Sequence, residues 1–277
     1  MGSKEPEVRC LDMILKNERT QGDIAKSIQK RIMSMKEKCQ DSERPDFIFV
    51  SDNTILGLEH CLVDSCYNEQ KGSFSRQKET DIQQTVDAYA KDNDLDKSAK
   101  NISQIVCNSF NATYRFDYNV FIKRFEEICL KHNQKCNEGT EKYPSYKNRL
   151  RSFKKSNSIL GCIVEIPVSD NKNTYIIKKS NRYYKQRIKN MPFTKDIIKI
   201  IRKMDGFDFV IICAYSKKFS AITYFDMKNI DDSIKQQNIK ICDAFDYEGK
   251  IKVKDMSVTK NDNGYEYEYV CELEKMN

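Results

Sequence analysis

The chain has 277 residues, of which 32% are charged and 39% hydrophobic, with a formal net charge of +7 and a pI near 8.7. That length buries a sizeable core, and the composition is that of a folded, polar domain rather than a disordered chain. No apolar run approaches the roughly 18 residues of a membrane span, which sets aside a membrane protein.

The first six residues, Met-Gly-Ser-Lys-Glu-Pro, lack the apolar stretch of a signal peptide, so a cytoplasmic location is expected. Eleven cysteines occur with no CxxC pair and only two histidines, His60 and His132. They read as buried thiols in a reducing compartment rather than as zinc ligands. His132 reads as a surface residue at the end of a helix.

In chain order, residues 8–39 carry apolar side chains at helical spacing, with Leu11, Ile14 and Leu15 followed by Ile24, Ile28, Ile32 and Met35. Thr20-Gln21-Gly22-Asp23 offers a break into two helices, with Thr20 or Asp23 as N-cap. Pro45-Asp46-Phe47-Ile48-Phe49-Val50 opens a strand, residues 51–54 form a turn, and residues 55–63 form a second strand, giving a β-hairpin. Alternation along that second strand puts Ile55, Gly57, Glu59, Cys61 and Val63 on one face and Leu56, Leu58, His60 and Leu62 on the other.

Residues 66–76 are a polar loop. The stretch 76–155 reads as helical at 81–91, 99–110, 118–133 and 145–155, and looks like an insertion. Strand signals return at 159–168 and 174–178. An amphipathic helix follows over 193–204 with Thr194 as N-cap, ended by Asp205-Gly206. Residues 207–215 form a continuous apolar strand and residues 220–226 another. The tail has strand-like stretches at 239–244, 250–254 and 265–273. The chain thus divides into an N-terminal helical and hairpin segment (1–75), a helical insertion (76–155) and a C-terminal α/β remainder (156–277). The order defines a mixed α/β sheet with helices on its faces.

The chemistry centres on Asp46 and Glu59, thirteen residues apart on adjacent strands. Two neighbouring carboxylates repel unless a cation neutralises them. An all-oxygen donor set suits Mg²⁺ or Mn²⁺, which can activate water for attack on a phosphodiester. The structural alternatives are a strand-opening or turn role for Asp46 and a salt bridge to Lys or Arg for Glu59. Glu165, in Cys162-Ile163-Val164-Glu165-Ile166, is either a third acidic ligand or a satisfied edge residue. No dinucleotide-binding glycine motif, P-loop or GxSxG elbow is present.

Pro45-Asp46 and Glu59-His60-Cys61, preceded by a helix and followed by strand–helix–strand, resemble the PD-(D/E)XK nuclease superfamily. The resemblance implies an αβββαβ restriction-endonuclease-like core, with Asp46 and Glu59 as metal ligands and an acid from the first helix, Glu18, completing the site. It also implies hydrolysis of nucleic acid, DNA rather than RNA, in a setting such as restriction or antiphage defence. The third motif position, normally Lys, is Cys61 here, and a thiol does not replace an ammonium. Lys71 or Lys78 supplied from elsewhere, His60 re-aimed by a bulge, or a degenerate site are the three resolutions. Lys147, Arg149, Arg151, Lys154, Lys155 and Arg182, interleaved with Tyr175, Tyr183 and Tyr184, form either a phosphate-binding face or a solvated basic surface. The alternative to a nuclease is a catalytically degenerate module that binds nucleic acid or a partner protein. A homo-oligomer or a defence-complex partner is compatible with either reading.

Overall fold

A computed structural model describes residues 5–35, 39–42, 44–63, 84, 118–167, 174–179, 182–187, 192–216, 219–246, 250–261 and 264–274. Two helices open the chain, α1 (Glu5–Leu15) and α2 (Asp23–Met35). They part at Gly22, whose φ of +85° lies in the left-handed region that glycine adopts without strain. A Cβ at Gly22 would also come within 2.8 Å of Gln236, so the turn passes tight against the C-terminal half.

Then come β1 (Cys39–Asp41), β2 (Phe47–Val50), β3 (Thr54–Leu62), α3 (Tyr118–Gln134), α4 (Tyr146–Arg151) and β4 (Asn157–Pro167). After these follow β5 (Thr174–Lys179), β6 (Arg182–Arg187), β7 (Phe193–Thr194), α5 (Lys195–Arg202), β8 (Phe209–Ser216), β9 (Phe219–Asp226) and α6 (Ile230–Gln236). The tail is β10 (Ile241–Cys242), β11 (Ala244–Asp246), β12 (Lys250–Asn261) and β13 (Gly264–Glu274).

The centre is a six-stranded sheet in the order β1-β2-β3-β4-β8-β9. β3, β4 and β8 run parallel; the pairs β1–β2, β2–β3 and β8–β9 are antiparallel. β5 pairs with β6 and β11 in a smaller antiparallel sheet, β7 pairs with β10, and β12 and β13 form a long hairpin. The architecture is therefore mixed α/β with helices on both faces of the central sheet.

Strand alternation sorts the core into two layers. On one face α1 and α2 deliver Cys10, Leu11, Ile14, Ala25, Ile28 and Ile32 against Leu56, Leu58, Ile163 and Ile211. On the other, α3, α4 and α5 pack Phe121, Phe125, Cys129, Leu150, Ile197 and Ile201 against Ile55, Cys61, Val164 and Ile212. Each buried aliphatic or aromatic side chain contributes about 1.5–3 kcal/mol relative to exposure. α5 starts where expected, because Thr194 accepts a hydrogen bond from the Ile197 amide at 3.2 Å.

Sequence patterning did not single out β1, β6 or α6. The first two are short or strongly charged, so they carry no two-residue apolar alternation, and α6 begins in a run of acids and polar residues. Of the predicted insertion, α3 and α4 are observed; the stretch 99–110 and all of 81–91 except Gln84, which is helical, lie outside the described residues, as do Lys71 and Lys78.

Candidate functional site

Glu59 occupies the middle of β3, an interior strand of the sheet, and is 4% exposed. β2 and β3 pair with Phe47 opposite Leu58, so the register continued by one residue sets Asp46 opposite Glu59. A 2.7 Å hydrogen bond from the His60 amide to Asp46 Oδ2 fastens that end of the hairpin. Burial, and then the charge of Glu59, push the Asp46 carboxyl up to about 7; Glu7 on α1 adds to the same effect. The hairpin thus sets Asp46 opposite Glu59.

Two helices reach Glu59, and a glycine lets one of them, α4, approach. Gly57 shares the strand face of Glu59, and a Cβ there would stand 2.7 Å from Pro45 and 3.1 Å from Leu150 of α4. With Leu150 seated on that glycine, Tyr146, one turn earlier on α4, donates its hydroxyl proton to Glu59 Oε1. α3 runs its Phe121–Phe125–Cys129 stripe along the same face and ends with His132 Nδ1 at 2.7 Å from Glu59 Oε1. A carboxylate only accepts, so this ring nitrogen carries the proton.

Lys135 follows directly, its Nζ 3.9 Å from the same oxygen. The Tyr146 amide donates to the Lys135 carbonyl at 3.0 Å and the Lys147 amide to the Cys136 carbonyl at 3.2 Å, tying the two ends of the α3–α4 loop together beside Glu59. Desolvation, and then the charge of Glu59, hold the Tyr146 phenol well above its ordinary range, so it remains a donor.

All three of these contacts fall on Oε1. Glu59 Oε2 is buried and has no hydrogen-bond partner among the described residues, and the same holds for Glu7 Oε2. Buried carboxylate oxygens without partners are costly. The oxygen chemistry of Asp46 and Glu59 is that of a hard divalent cation, although among the described residues these acids do not form a group of three donors within 4.8 Å of one another.

The opposite face of β3 carries a separate polar knot. His60 is 8% exposed and Glu165, on the interior strand β4, is 1% exposed. Their Nε2 and Oε2 atoms lie 2.7 Å apart, and Arg9 of α1 donates to Glu165 Oε1 at 2.8 Å. Burial disfavours the charged His60 ring, but hydrogen bonds with Cys10 and Glu165 outweigh it and raise the ring to about 10. Glu165 is held below its ordinary value, because His60 and Arg9 together overcome its burial. Cys10, His60 and Glu165 bring one donor atom each to within 4.8 Å of one another.

Several expectations from the sequence are corrected here. His60 does not reach the Asp46–Glu59 site with its ring; β3 pairs without a register shift on both sides, so no bulge re-aims it, and only its amide takes part. Glu165 is neither a third ligand beside Glu59 nor an edge residue. Glu18 is exposed in the turn beyond α1, whereas the charge of Glu7, on the first turn of that helix, acts on Asp46. His132 is a partner of Glu59, not a surface residue. Glu59 has the expected lysine salt bridge, to Lys135 at 3.9 Å, and in addition a histidine and a tyrosine at hydrogen-bond distance. Cys61, at the motif lysine position, is 3% exposed and shares hydrogen bonds with the buried thiols of Cys129 and Cys162.

Of the basic residues, Lys147, Arg149 and Arg151 lie on α4 itself. Arg149 is exposed and stacks over the Phe153 ring at 5.6 Å, Lys154 is exposed, and Lys155 donates to the Asp52 carbonyl at 3.1 Å. Arg182 is exposed at the start of β6, on the smaller sheet. No protein-family model, curated protein or solved structure matches the chain.

Proposed function

We propose that the chain is a divalent-metal-dependent nuclease with a restriction-endonuclease-like core, acting on nucleic acid and on DNA in preference to RNA. The observation that carries this reading is the buried, partnerless Glu59 Oε2 on the strand opposite Asp46. In this reading Asp46 and Glu59 hold Mg²⁺ or Mn²⁺, which when bound supplies a polarised phosphate oxygen and an acidified water.

The chain's own residues do the rest. His132 and Tyr146 fix Oε1 of Glu59 and leave Oε2 for the cation. Lys135 brings the ammonium that Cys61 does not supply, reaching Glu59 from the end of α3 instead of from β3. α4, which carries Tyr146 into the site, carries Lys147, Arg149 and Arg151 on the same six-residue helix. That places positive charge for the phosphate backbone close to the acids.

A second reading is a nucleic-acid-binding module that keeps the nuclease fold without cutting. It is favoured by the 4% exposure of Glu59 and the apolar burial of the motif-lysine position. The two are separated by incubating the protein with supercoiled plasmid, linear duplex and single-stranded RNA in Mg²⁺ or Mn²⁺. A nuclease cuts, and Glu59→Gln and Asp46→Asn each abolish cutting while circular dichroism is unchanged. Salt-sensitive binding without cutting supports the module; cutting that survives both substitutions removes the site assignment.

A further inference from the structure

The second polar cluster lies across the sheet from Glu59, and its composition differs from that of the acidic site. Cys10 comes from α1, His60 from β3 and Glu165 from β4, with relative exposures of 0%, 8% and 1%. Their Sγ, ring nitrogen and carboxylate oxygen are mutually within 4.8 Å. A fourth donor is nearby, outside that 4.8 Å group. Cys213 of β8 is directly opposite Glu165 in the parallel pair, is 0% exposed, and its thiol acts on that of Cys10 to push it up.

We propose that Cys10, His60, Glu165 and Cys213 form a closed structural Zn²⁺ site that ties α1 to three adjacent strands of the central sheet. Donor softness selects the ion. Two sulfurs, one imidazole and one carboxylate are a zinc set, whereas Mg²⁺ demands oxygen ligands and keeps several waters. Tetrahedral bonds of zinc to N, O and S place neighbouring donors about 3.3–3.8 Å apart, so the three donors within 4.8 Å draw in and Cys213 turns toward them to complete the site.

The burial argues for four protein ligands, the arrangement of structural zinc, instead of an open catalytic position. Zinc with two thiolates and one carboxylate carries a single negative charge, which the Arg9 guanidinium on Glu165 Oε1 balances. Arg9 thereby occupies Oε1, so Oε2, now 2.7 Å from His60 Nε2, is the oxygen that faces the donors. Loading releases the protons of both thiols and the proton that His60 shares with Glu165; no electron transfer is involved.

The test uses the full chain, produced with zinc in the medium and no histidine tag, and measures metal content by mass spectrometry after gel filtration. One zinc per chain is expected. Replacement by Co²⁺ should give the visible bands of a tetrahedral site with a thiolate charge-transfer band, which weakens in Cys213→Ser and in Cys10→Ser. Glu59→Gln should keep the full equivalent, because that side chain is on the other face.

Absence of bound zinc in the wild-type chain, together with failure to take up one equivalent in competition with a colorimetric chelator, would overturn the proposal without any variant. So would a full equivalent retained by Cys10→Ser, or an equivalent lost from Glu59→Gln but kept by Cys10→Ser. If Cys10→Ser fails to fold, Glu165→Gln, which keeps the shape of the side chain, takes its place and should lower zinc retention at least tenfold.

Discussion

His132 Nδ1 and Glu59 Oε1 lie 2.7 Å apart, although 73 residues separate them in the chain. With the Tyr146 hydroxyl on the same oxygen, this contact fixes a buried carboxylate in one orientation. It also leaves Oε2 without a partner. That oxygen is therefore the atom of the site at which a bound ligand would relieve the largest cost.

The first prediction concerns that cost. Glu59→Gln keeps an acceptor for Tyr146 and removes the charge that acts on Asp46. The metal-free protein should lose less than about 1 kcal/mol, or gain stability, while metal-dependent activity falls at least about a hundredfold. Tyr146→Phe and His132→Phe should each cost about 1.5–3 kcal/mol, because each removes a hydrogen bond to a charged group. Urea denaturation of the three variants measures the contrast.

The second prediction is a pH dependence. Asp46 is raised from 3.8 to about 7 in the folded chain. Between those values the folded state therefore binds more protons at this group than the unfolded state. Metal-free stability contributed by Asp46 is present below about 4 and falls as pH rises to about 7, by at most about 1.4 kcal/mol per pH unit. His60, raised from 6.5 to about 10, adds a further fall only above about pH 6.5. Asp46→Asn should flatten the lower window alone. Cleavage and Mg²⁺ affinity should rise through pH 7, as Asp46 sheds its proton.

The third prediction tests the packing that builds the site. A Cβ at Gly57 would meet Pro45 Cγ at 2.7 Å and both methyls of Leu150 at 3.1 and 3.2 Å. Gly57→Ala should cost about 1–3 kcal/mol and shift α4 away from β3. Because Tyr146 moves with α4, activity should fall further than stability accounts for, which parallel thermal melts and cleavage assays would show.

The fourth prediction separates two roles of positive charge. Lys135→Ala should reduce turnover at saturating DNA with little change in binding, whereas Arg149→Glu with Arg151→Glu should weaken binding and flatten its salt dependence. Salt titrations of binding and single-turnover cleavage on the same variants distinguish these outcomes.

Much of this was legible in the residue order. The hairpin, the alternation that separates Glu59 from His60, and the apolar strand of β8 follow from two-residue periodicity and turn chemistry. Thr194 announced its helix through its capping chemistry. What could not be read is what faces Glu59 from other elements. His132 ends a helix with no unusual local pattern, and its partner lies on a strand far away in sequence. The same limit hid Glu7, which looks like any acid near a helix start, and Lys135. It also hid the Cys10–His60–Glu165 cluster: its donors come from three elements, so no CxxC-type spacing reveals them.

The central claim is that Asp46 and Glu59 form a divalent-cation site. Its most direct test is calorimetric titration of Mn²⁺ into the full chain at pH 8, where Asp46 is ionised. One equivalent should bind to the wild-type chain, and that binding should disappear in both Asp46→Asn and Glu59→Gln. Identical Mn²⁺ binding by wild type and both variants, or none by the wild type, would contradict it.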